Sequence, residues 1–234
     1  MILYGASGHA KVIIDILEAM GIEVSELFDD NNSLEKLQNI KVSIPRETTE
    51  KLIISIGNNR IRKKIVESNS YTYGVAIHPT AVLSPYAHVG EGTVVMQGAI
   101  IQSDVVVGKH CIVNTGATID HECQIEDYVH VSPNATLCGN VKVGEESWIG
   151  AGSVIIPGIK IGKNSVVGAG SVVIRDIPDN CIAAGNPCKI IKQKDNSMKE
   201  DLLIKLNFGG GKYLIYNSID VIGLCNLKIE RYAA

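Results

Sequence analysis

The sequence predicts an α/β domain followed by a parallel β-helix, and two observations carry this prediction. One aliphatic residue recurs at every sixth position from Ile77 to Val173. The stretch before it alternates short apolar segments with helical patterns, in the order of a βαβ unit. We therefore expect an α/β domain over residues 1–74, a β-helix over residues 75–192 and a C-terminal extension of unknown role over residues 193–234.

The six-residue period fits neither a helix nor a simple sheet, whose apolar faces return at 3.6 and 2 residues. It is typical of a short strand and a corner per repeat, and three repeats close a triangular coil of about eighteen residues. An ordinary β-sandwich would not keep a constant six-residue spacing, because its loops vary in length. The recurring residues should therefore point inward and stack from coil to coil: Ile77, Leu83, Val89, Val95, Ile101, Val107, Val113, Ile119, Ile125, Val131, Leu137, Val143, Ile149, Ile155, Ile161, Val167 and Val173.

The positions on either side of each inward residue repeat as well. Two positions before it the residue is mostly Ala or Ser, and three positions after it the residue is often Gly, Asn or Asp. Gly, Asn and Asp tolerate positive φ better than other residues, so we expect the coils to turn at these positions.

Residues 1–74 predict a small parallel sheet flanked by helices, in a Rossmann-like arrangement. An apolar strand at 1–4 leads through the turn GASGH into an amphipathic helix at 10–20. Further strands are expected at 23–28 and 51–56, and a basic helix at 60–68. Because ligands bind such sheets at the carboxyl ends of the strands, the turns that follow these strands should form one site.

Three groups of residues occupy those turns: Ser7, Gly8 and His9, then Asp29 and Asp30, then Gly57. The first group opens a helix whose free N–H groups and positive dipole end suit a phosphate. The aspartates could accept hydrogen bonds from a ribose hydroxyl or a base N–H. The open alternatives are a tight βα turn and a solvated pair of loop residues. A dinucleotide is disfavoured, because the full G-x-G-x-x-G motif is missing.

The densest basic cluster of the chain comprises Arg60, Arg62, Lys63 and Lys64, on the predicted helix at 60–68. Such runs are usually the solvent-exposed face of a helix. We interpret this cluster in the same way.

Charge and composition describe a slightly acidic globular chain. The formal net charge of −3 gives no reason to expect a nucleic-acid partner. The pattern of a signal peptide and an apolar run of membrane-spanning length are both missing, so we expect no membrane insertion and a cytoplasmic protein. The six cysteines form no CxxC pair and no metal-ligand spacing with histidine, which predicts reduced thiols and no metal site.

Within the repeats, polar groups depart from what packing requires in the stretch NTGATIDHECQIEDYVH. His121 and Glu122 follow inward Ile119 by two and three positions, which places them at a corner outside the core. A histidine held there by a rigid scaffold suits proton transfer, and Glu122 could orient its ring. A solvent-exposed turn histidine is an equally open interpretation. For His130 the residues alone favour a structural role.

With these motifs the chain resembles the left-handed β-helix (hexapeptide-repeat) sugar acyltransferases, in particular UDP-4-amino-sugar N-acetyltransferases and sialic acid O-acetyltransferase-like proteins. The segments YGASGHAKVIIDIL, LFDD, IGNNRIRKKI, HPTAVLSP, NTGATIDHE and AAGNPCKII stand in the family order, within residues 1–192. The combination of GASGH with NTGATIDH is the specific part of this resemblance. It implies left-handed coils, a homotrimer with active sites between adjacent prisms, and acetyl-CoA as the donor.

The resemblance also implies a role for each candidate residue. His121 corresponds to the general base, Glu122 to the acid that increases its basicity, and Asn114 to a residue near the acceptor amine. The other correspondences are ligand contacts: acetyl-CoA for His130, Ala151 and Ala169, the nucleotide-sugar phosphates for Ser7, Gly8 and His9, uridine for Asp29 and Asp30, and the sugar nucleotide for Gly57.

The activity implied by the resemblance is transfer of an acetyl group to the amine of a nucleotide-linked 4-amino-sugar in surface-glycan biosynthesis, with UDP as the implied nucleotide. The transfer would be direct, with His121 as the base. Two alternatives stay open at the level of the sequence. The same scaffold could O-acetylate sialic acid or another sugar hydroxyl, or it could be a non-catalytic nucleotide-binding assembly module.

After Ile191 the chain leaves the repeat pattern. Residues 193–199 are polar, and two apolar segments flank a run of three glycines at 209–211, which predicts a hairpin. Members of the family stop near AAGNPCKII, so this extension is a departure to which the sequence assigns no function.

Overall fold

The computed structural model describes residues 1–31, 33–194, 204–208 and 211–215, the last two ranges by their backbone only. Its N-terminal part is a five-stranded sheet with two helices. The elements in chain order are β1 (Ile2–Tyr4), α1 (Gly8–Ala19), β2 (Glu26–Phe28), β3 (Lys36–Leu37), β4 (Ile40–Ser43), β5 (Leu52–Ile54) and α2 (Asn59–Glu67).

The sheet has the order β3-β4-β2-β1-β5, and only β3 runs antiparallel to its neighbour. The three predicted strands, β1, β2 and β5, are buried along their whole length, and β2 begins at Glu26 instead of residue 23. The sequence analysis missed β3 and β4. These strands are short and half of their residues are polar, and they are joined by Gln38 and Asn39, both at positive φ, so no clear apolar period marked them.

From residue 76 onward the chain winds into coils of two-residue strands that stack as three parallel sheets. Face 1 contains β7 (Val82–Leu83), β10 (Ile100–Ile101), β13 (Thr118–Ile119), β16 (Thr136–Leu137), β19 (Val154–Ile155) and β22 (Val172–Val173). Face 2 contains β8 (His88–Val89), β11 (Val106–Val107), β14 (Gln124–Ile125), β17 (Lys142–Val143) and β20 (Lys160–Ile161). Face 3 contains β6 (Ala76–Ile77), β9 (Val94–Val95), β12 (Ile112–Val113), β15 (His130–Val131), β18 (Trp148–Ile149) and β21 (Val166–Val167). The predicted fold class is confirmed.

The second residue of each two-residue strand points into the prism. Val107 is 2% exposed whereas Val106, beside it in the same strand, is 47% exposed. Successive coils pair inward residues eighteen positions apart, such as Val113 with Val131. This continuous aliphatic column is the core of the β-helix.

Four corners of the described coils combine a positive φ with a residue other than the expected Gly, Asn or Asp. His110, Glu122, Tyr128 and Glu146 occupy the same corner position with φ between 52° and 60°. Such a conformation is costly for bulky side chains, so their side chains or backbone groups are expected to have specific partners.

The N-terminal part packs on face 3. Ala10, Ile13 and Leu17 of α1 share one apolar cluster with Val94 and Ile112 of the coils. This packing places the carboxyl ends of β1, β2 and β5 beside the coils, where the candidate site lies.

The β-helix closes with β23 (Cys181–Ala184), which extends face 3, and with β24 (Lys189–Gln193), antiparallel to it. In the extension, β25 (Ile204–Phe208) and β26 (Gly211–Ile215) pair antiparallel, which confirms the predicted hairpin. Most of the predicted polar linker lies outside the described residues.

Cysteines in the described ranges are free thiols, as expected: Cys111, Cys123, Cys138, Cys181 and Cys188. Cys225 lies outside those ranges. Neither helix of the described chain could traverse a bilayer, and no group of three or more possible metal ligands occurs among the residues that the structure describes.

Candidate active site

The turn between β1 and α1 presents an open helix N-terminus. Ser7 is the N-cap of α1 in an extended conformation, and its hydroxyl makes no capping hydrogen bond. Gly8 is exposed, and a Cβ at this position would meet nothing within 4 Å. The first N–H groups of α1 are thus accessible to an anion.

The turns after β1 and β5 are tied together. Gly5 has φ +110°, and a Cβ there would lie 2.7 Å from Ile56 Cγ1. The hydroxyl of Ser55 donates to the carbonyls of Tyr4 and Gly5, at 2.9 and 2.6 Å. Glycine is needed at position 5 because the two backbones approach each other closely.

Asp29 and Asp30 follow β2 at the same edge of the sheet, and they differ in their surroundings. The carboxylate of Asp29 accepts hydrogen bonds from the N–H groups of Ala6 and Asn31, at 2.7 and 2.9 Å. The exposed Asp30 accepts from the Tyr4 hydroxyl at 3.0 Å. Burial and the neighbouring Asp30 raise the pKa of Tyr4 above its usual value. Asp29 therefore shapes the first turn, while Asp30 faces solvent.

Two imidazoles from different parts of the chain, those of His9 and His130, lie near each other and near Arg62. Burial, and next the positive charge of Arg62, lower the pKa of His9 to about 4. His130 is 6% exposed, and burial together with the charges of Arg62 and His9 keeps its pKa well below the usual value. Both rings are therefore neutral at neutral pH. His9 Nε2 and His130 Nδ1 are buried and have no hydrogen-bond partner among the described residues.

His130 is held by its neighbours on face 3 and the following corner. Its Nε2 lies 3.0 Å from Asn114 Nδ2, and its ring stacks on Trp148 with ring centroids 4.9 Å apart. Trp148 in turn donates from its indole N–H to the Ser132 hydroxyl at 2.7 Å. Because the amide N–H of Asn114 is the donor, the neutral imidazole carries its proton on Nδ1.

His121 stands at the corner between faces 1 and 2. Its side chain is 57% exposed, and its Nδ1 lies 3.1 Å from a carboxylate oxygen of Glu122. Its Nε2 lies 4.0 Å from Asp120 Oδ2 and rests over Gly139 of the next coil. Glu122 can hold a proton on Nδ1, which leaves Nε2 as the basic atom.

Ala151 and Ala169 lie eighteen residues apart at the corner between faces 3 and 1. Asn114 lies at the same corner two coils earlier. Within the described ranges the backbone N–H groups of Ala151 and Ala169 have no acceptor. A Cβ at Gly150 would lie 2.5 Å from the nitrogen of Ala169, so the coils approach too closely there for a larger residue. These N–H groups are available to a ligand carbonyl.

One chain therefore places the candidate residues in two groups. The first group surrounds the N-terminal turns and face 3, with Asn114, Ala151 and Ala169 at its edge. The second group is His121 with Glu122, across face 1 from the first group, at the corner between faces 1 and 2. The contacts of His121 described above all come from the coils.

The prediction for the basic cluster is wrong at two of its four members. Arg62 is 1% exposed, and Lys63 forms ion pairs with Glu145 and Glu146 of the coils. Only Arg60 and Lys64 are exposed. The available signal was the spacing of Asn59, Arg62 and Ile65, which puts a charged residue on the buried face of α2.

The fold and this site define a class of protein, the hexapeptide-repeat transferases with an N-terminal α/β domain. The PglD N-terminal domain family model matches residues 1–69, and the model for bacterial transferase hexapeptide (six repeats) matches residues 140–175.

Solved structures resemble most of the chain. A histidine-to-asparagine variant of perosamine N-acetyltransferase from Caulobacter crescentus, in complex with CoA and GDP-perosamine, is 36% identical, with a TM-score of 0.78 over 82% of this chain and 96% of that chain. The acetyltransferase domain of PglB from Neisseria gonorrhoeae FA1090, in complex with acetyl coenzyme A, is 37% identical, with a TM-score of 0.76 over 81% of this chain and 98% of that chain.

A curated relative, UDP-N-acetylbacillosamine N-acetyltransferase of Bacillus subtilis (strain 168), is 42% identical over 107 residues. That alignment covers 40% of this chain and 50% of the relative, so the chain spans about half the length of the curated relative it matches. The solved structures are matched almost over their whole length. The chain belongs to the family of hexapeptide-repeat sugar N-acetyltransferases.

Proposed function

We propose that this protein transfers an acetyl group from acetyl-CoA to the amine of a nucleotide-linked 4-amino-sugar, in the biosynthesis of a surface glycan. The observation that carries the proposal is the pairing of exposed His121 with the Glu122 carboxylate on a rigid corner. The proposal is supported by two solved relatives that match most of this chain. One is a perosamine N-acetyltransferase in complex with CoA and GDP-perosamine, and the other is an acetyltransferase domain in complex with acetyl coenzyme A.

In the proposed reaction, the amine nitrogen attacks the thioester carbonyl while His121 Nε2 takes up a proton from that nitrogen. The tetrahedral oxyanion would be stabilised by backbone N–H groups, for which Ala151 and Ala169 are the candidates. The carbon–sulfur bond then breaks, and CoA leaves as a thiolate that accepts a proton. His121 is ready for this role because Glu122 holds the other ring nitrogen.

The nucleotide sugar is proposed to bind at the N-terminal turns. The helix N-terminus at Ser7, Gly8 and His9 suits its phosphates, and the exposed Asp30 suits polar groups of the nucleoside. UDP is the nucleotide that the resemblance to UDP-4-amino-sugar N-acetyltransferases implies. Because one relative has GDP-perosamine bound, GDP-linked sugars should be tested alongside UDP-linked sugars.

The active form is proposed to be a homotrimer in the cytoplasm, where acetyl-CoA and nucleotide sugars are made. The support is the separation of the two residue groups, since the prism of a second copy could bring its His121 beside the N-terminal turns of the first. Mixing His121→Ala with Asp30→Ala subunits should restore activity if each site uses two copies. Light scattering should give three times the chain mass.

The activity itself is tested by following CoA thiol release with UDP- and GDP-linked 4-amino-sugars and with free sialic acid. We expect turnover with an amino-sugar nucleotide. His121→Ala should lower kcat at least about a hundredfold while acetyl-CoA still binds. The exposed His88 provides the control, because His88→Ala should act like the wild type. Turnover with sialic acid alone, or a near-normal kcat of His121→Ala, would contradict the proposal.

A further inference from the structure

Helix α2 carries a buried cation that the proposed reaction does not use. Arg62 is 1% exposed, and each of its five N–H groups has an acceptor. Its Nε donates to the carbonyl of His110 at 2.7 Å, and one Nη donates to the Tyr128 carbonyl and Asn59 Oδ1 at 2.9 and 2.8 Å. The other Nη donates to the carbonyls of Ile56 and Gly57, at 2.9 and 3.2 Å.

All five acceptors are neutral amide oxygens. Burying a charge without an opposite charge is costly, and it is tolerated only when every hydrogen bond is made. Burial lowers the pKa of Arg62 to about 10, so the group still carries its charge at neutral pH. Lysine could not replace it, because an ammonium has three donors and lacks the planar fork of a guanidinium.

The acceptors come from two separate places. Ile56 and Gly57 form the turn after β5, at the proposed nucleotide-sugar site. His110 and Tyr128 are corners of two successive coils, eighteen residues apart, and Tyr128 is followed two residues later by His130. One rigid group therefore sets the distance between that turn and the coil that carries His130.

Simple docking of α2 does not explain this arrangement. Lys63, the next residue, already ties the helix to the coils through Glu145 and Glu146. Lys63 makes no contact with the turn among the interactions described, whereas Arg62 bonds two of its carbonyls. Lys63 therefore attaches the helix to the coils, whereas Arg62 holds the turn in place.

We propose that Arg62 is a positioning residue for the nucleotide-sugar site, and that its guanidinium fixes the Ile56–Gly57 turn against the coils. The inference rests on the proposed function in that this turn binds the nucleotide sugar. The coils themselves are rigid through their own stacking. Loss of Arg62 should therefore disturb nucleotide binding, while acetyl-CoA binding on the coils is preserved.

The test is calorimetric titration of UDP, GDP and acetyl-CoA into the full-length protein and its variants, with thermal melting to verify folding. Arg62→Lys should weaken the binding of whichever nucleotide the wild type binds by at least about tenfold, since buried carbonyls lose their donors. Its affinity for acetyl-CoA should stay within about twofold of the wild type. Lys63→Met, the matched control, should melt at a lower temperature and bind both ligands normally.

A folded Arg62→Lys protein with wild-type nucleotide affinity would overturn the inference and leave the proposed function intact. A wild type that binds neither nucleotide would contradict both. If Arg62→Lys does not fold, Asn59→Ala replaces it. This change keeps the guanidinium and removes one of its acceptors, together with two hydrogen bonds from Asn59 to the carbonyls of Glu146 and Ser147. Lys63→Met remains the control for weaker attachment of the helix. Nucleotide affinity should then fall while acetyl-CoA affinity holds, and unchanged nucleotide affinity in Asn59→Ala would again overturn the inference.

Discussion

The imidazole of His121 lies over Gly139 of the next coil, where an added Cβ would stand 2.5 Å from His121 Nε2. The two residues are eighteen positions apart, so each occupies the same place in its own coil. Glycine at position 139 leaves the space in which the ring rests. The backbone of the following coil therefore sets the position of the proposed base.

Gly139→Ala should displace the ring and lower kcat at least about tenfold, because a shift near 1 Å in a catalytic group can cost about a hundredfold. Steady-state kinetics with saturating acetyl-CoA would measure the effect. Gly21→Asn is the control, since Gly21 has φ +71°, open surroundings and a position at the end of α1. A Gly139→Ala enzyme with kcat within twofold of the wild type would show that His121 does not need this position.

Glu122→Gln should lower kcat at least about tenfold, since an amide in place of the carboxylate no longer fixes the proton on Nδ1 of His121. Asp104→Asn is matched to it, because Asp104 occupies the same corner one coil earlier, with φ 61° against 60° for Glu122. The two variants make the same change of charge. Equal kcat values for the two variants would argue against a role for the Glu122 carboxylate.

Stability should fall as the pH is lowered from about 6.5 toward 4. Burial, and next the charge of Arg62, lower the pKa of His110 to about 4, so the folded state binds fewer protons than the unfolded state in this window. The stabilisation is present above the unfolded pKa and is lost as the pH approaches the folded one. Each histidine with a pKa lowered in this way adds at most about 1.4 kcal/mol per pH unit to the slope of the free energy of unfolding against pH.

His110→Asn should reduce this slope, and asparagine suits the φ of 52° at that corner. Denaturant unfolding at several pH values between 4.5 and 7.5 would measure the free energy of unfolding. His88→Asn, at an exposed position, should keep the wild-type slope. Identical slopes in His110→Asn and the wild type would refute the assignment.

The core of the β-helix can be tested with two adjacent valines of one strand. Val107→Ala should lower the free energy of unfolding by about 2 kcal/mol, from roughly 0.8 kcal/mol per buried methylene plus a cavity term. Val106→Ala should change it by less than about 0.5 kcal/mol, because its side chain faces outward. Chemical denaturation would compare them, and equal losses would contradict the inward and outward alternation.

Much of the candidate site followed from local patterns. The six-residue period placed His121 and Glu122 at a corner, and the strand–turn–helix pattern placed Ser7, Asp29 and Gly57 at one edge of a sheet. The roles of these residues stay predictions. Coil stacking every eighteen residues also explains why His121 lies beside Gly139 and His130 beside Trp148.

The sequence by itself determined the architecture, since an unbroken period of aliphatic residues can be buried only by winding into stacked coils. It did not determine the burial of Arg62 or the shielding of His130. Those depend on the docking of α2 and α1 against the coils, through contacts such as the one from Arg62 to Tyr128, 66 positions away. Only the tertiary structure decided them, because a local pattern describes the face of a helix but does not identify what covers that face.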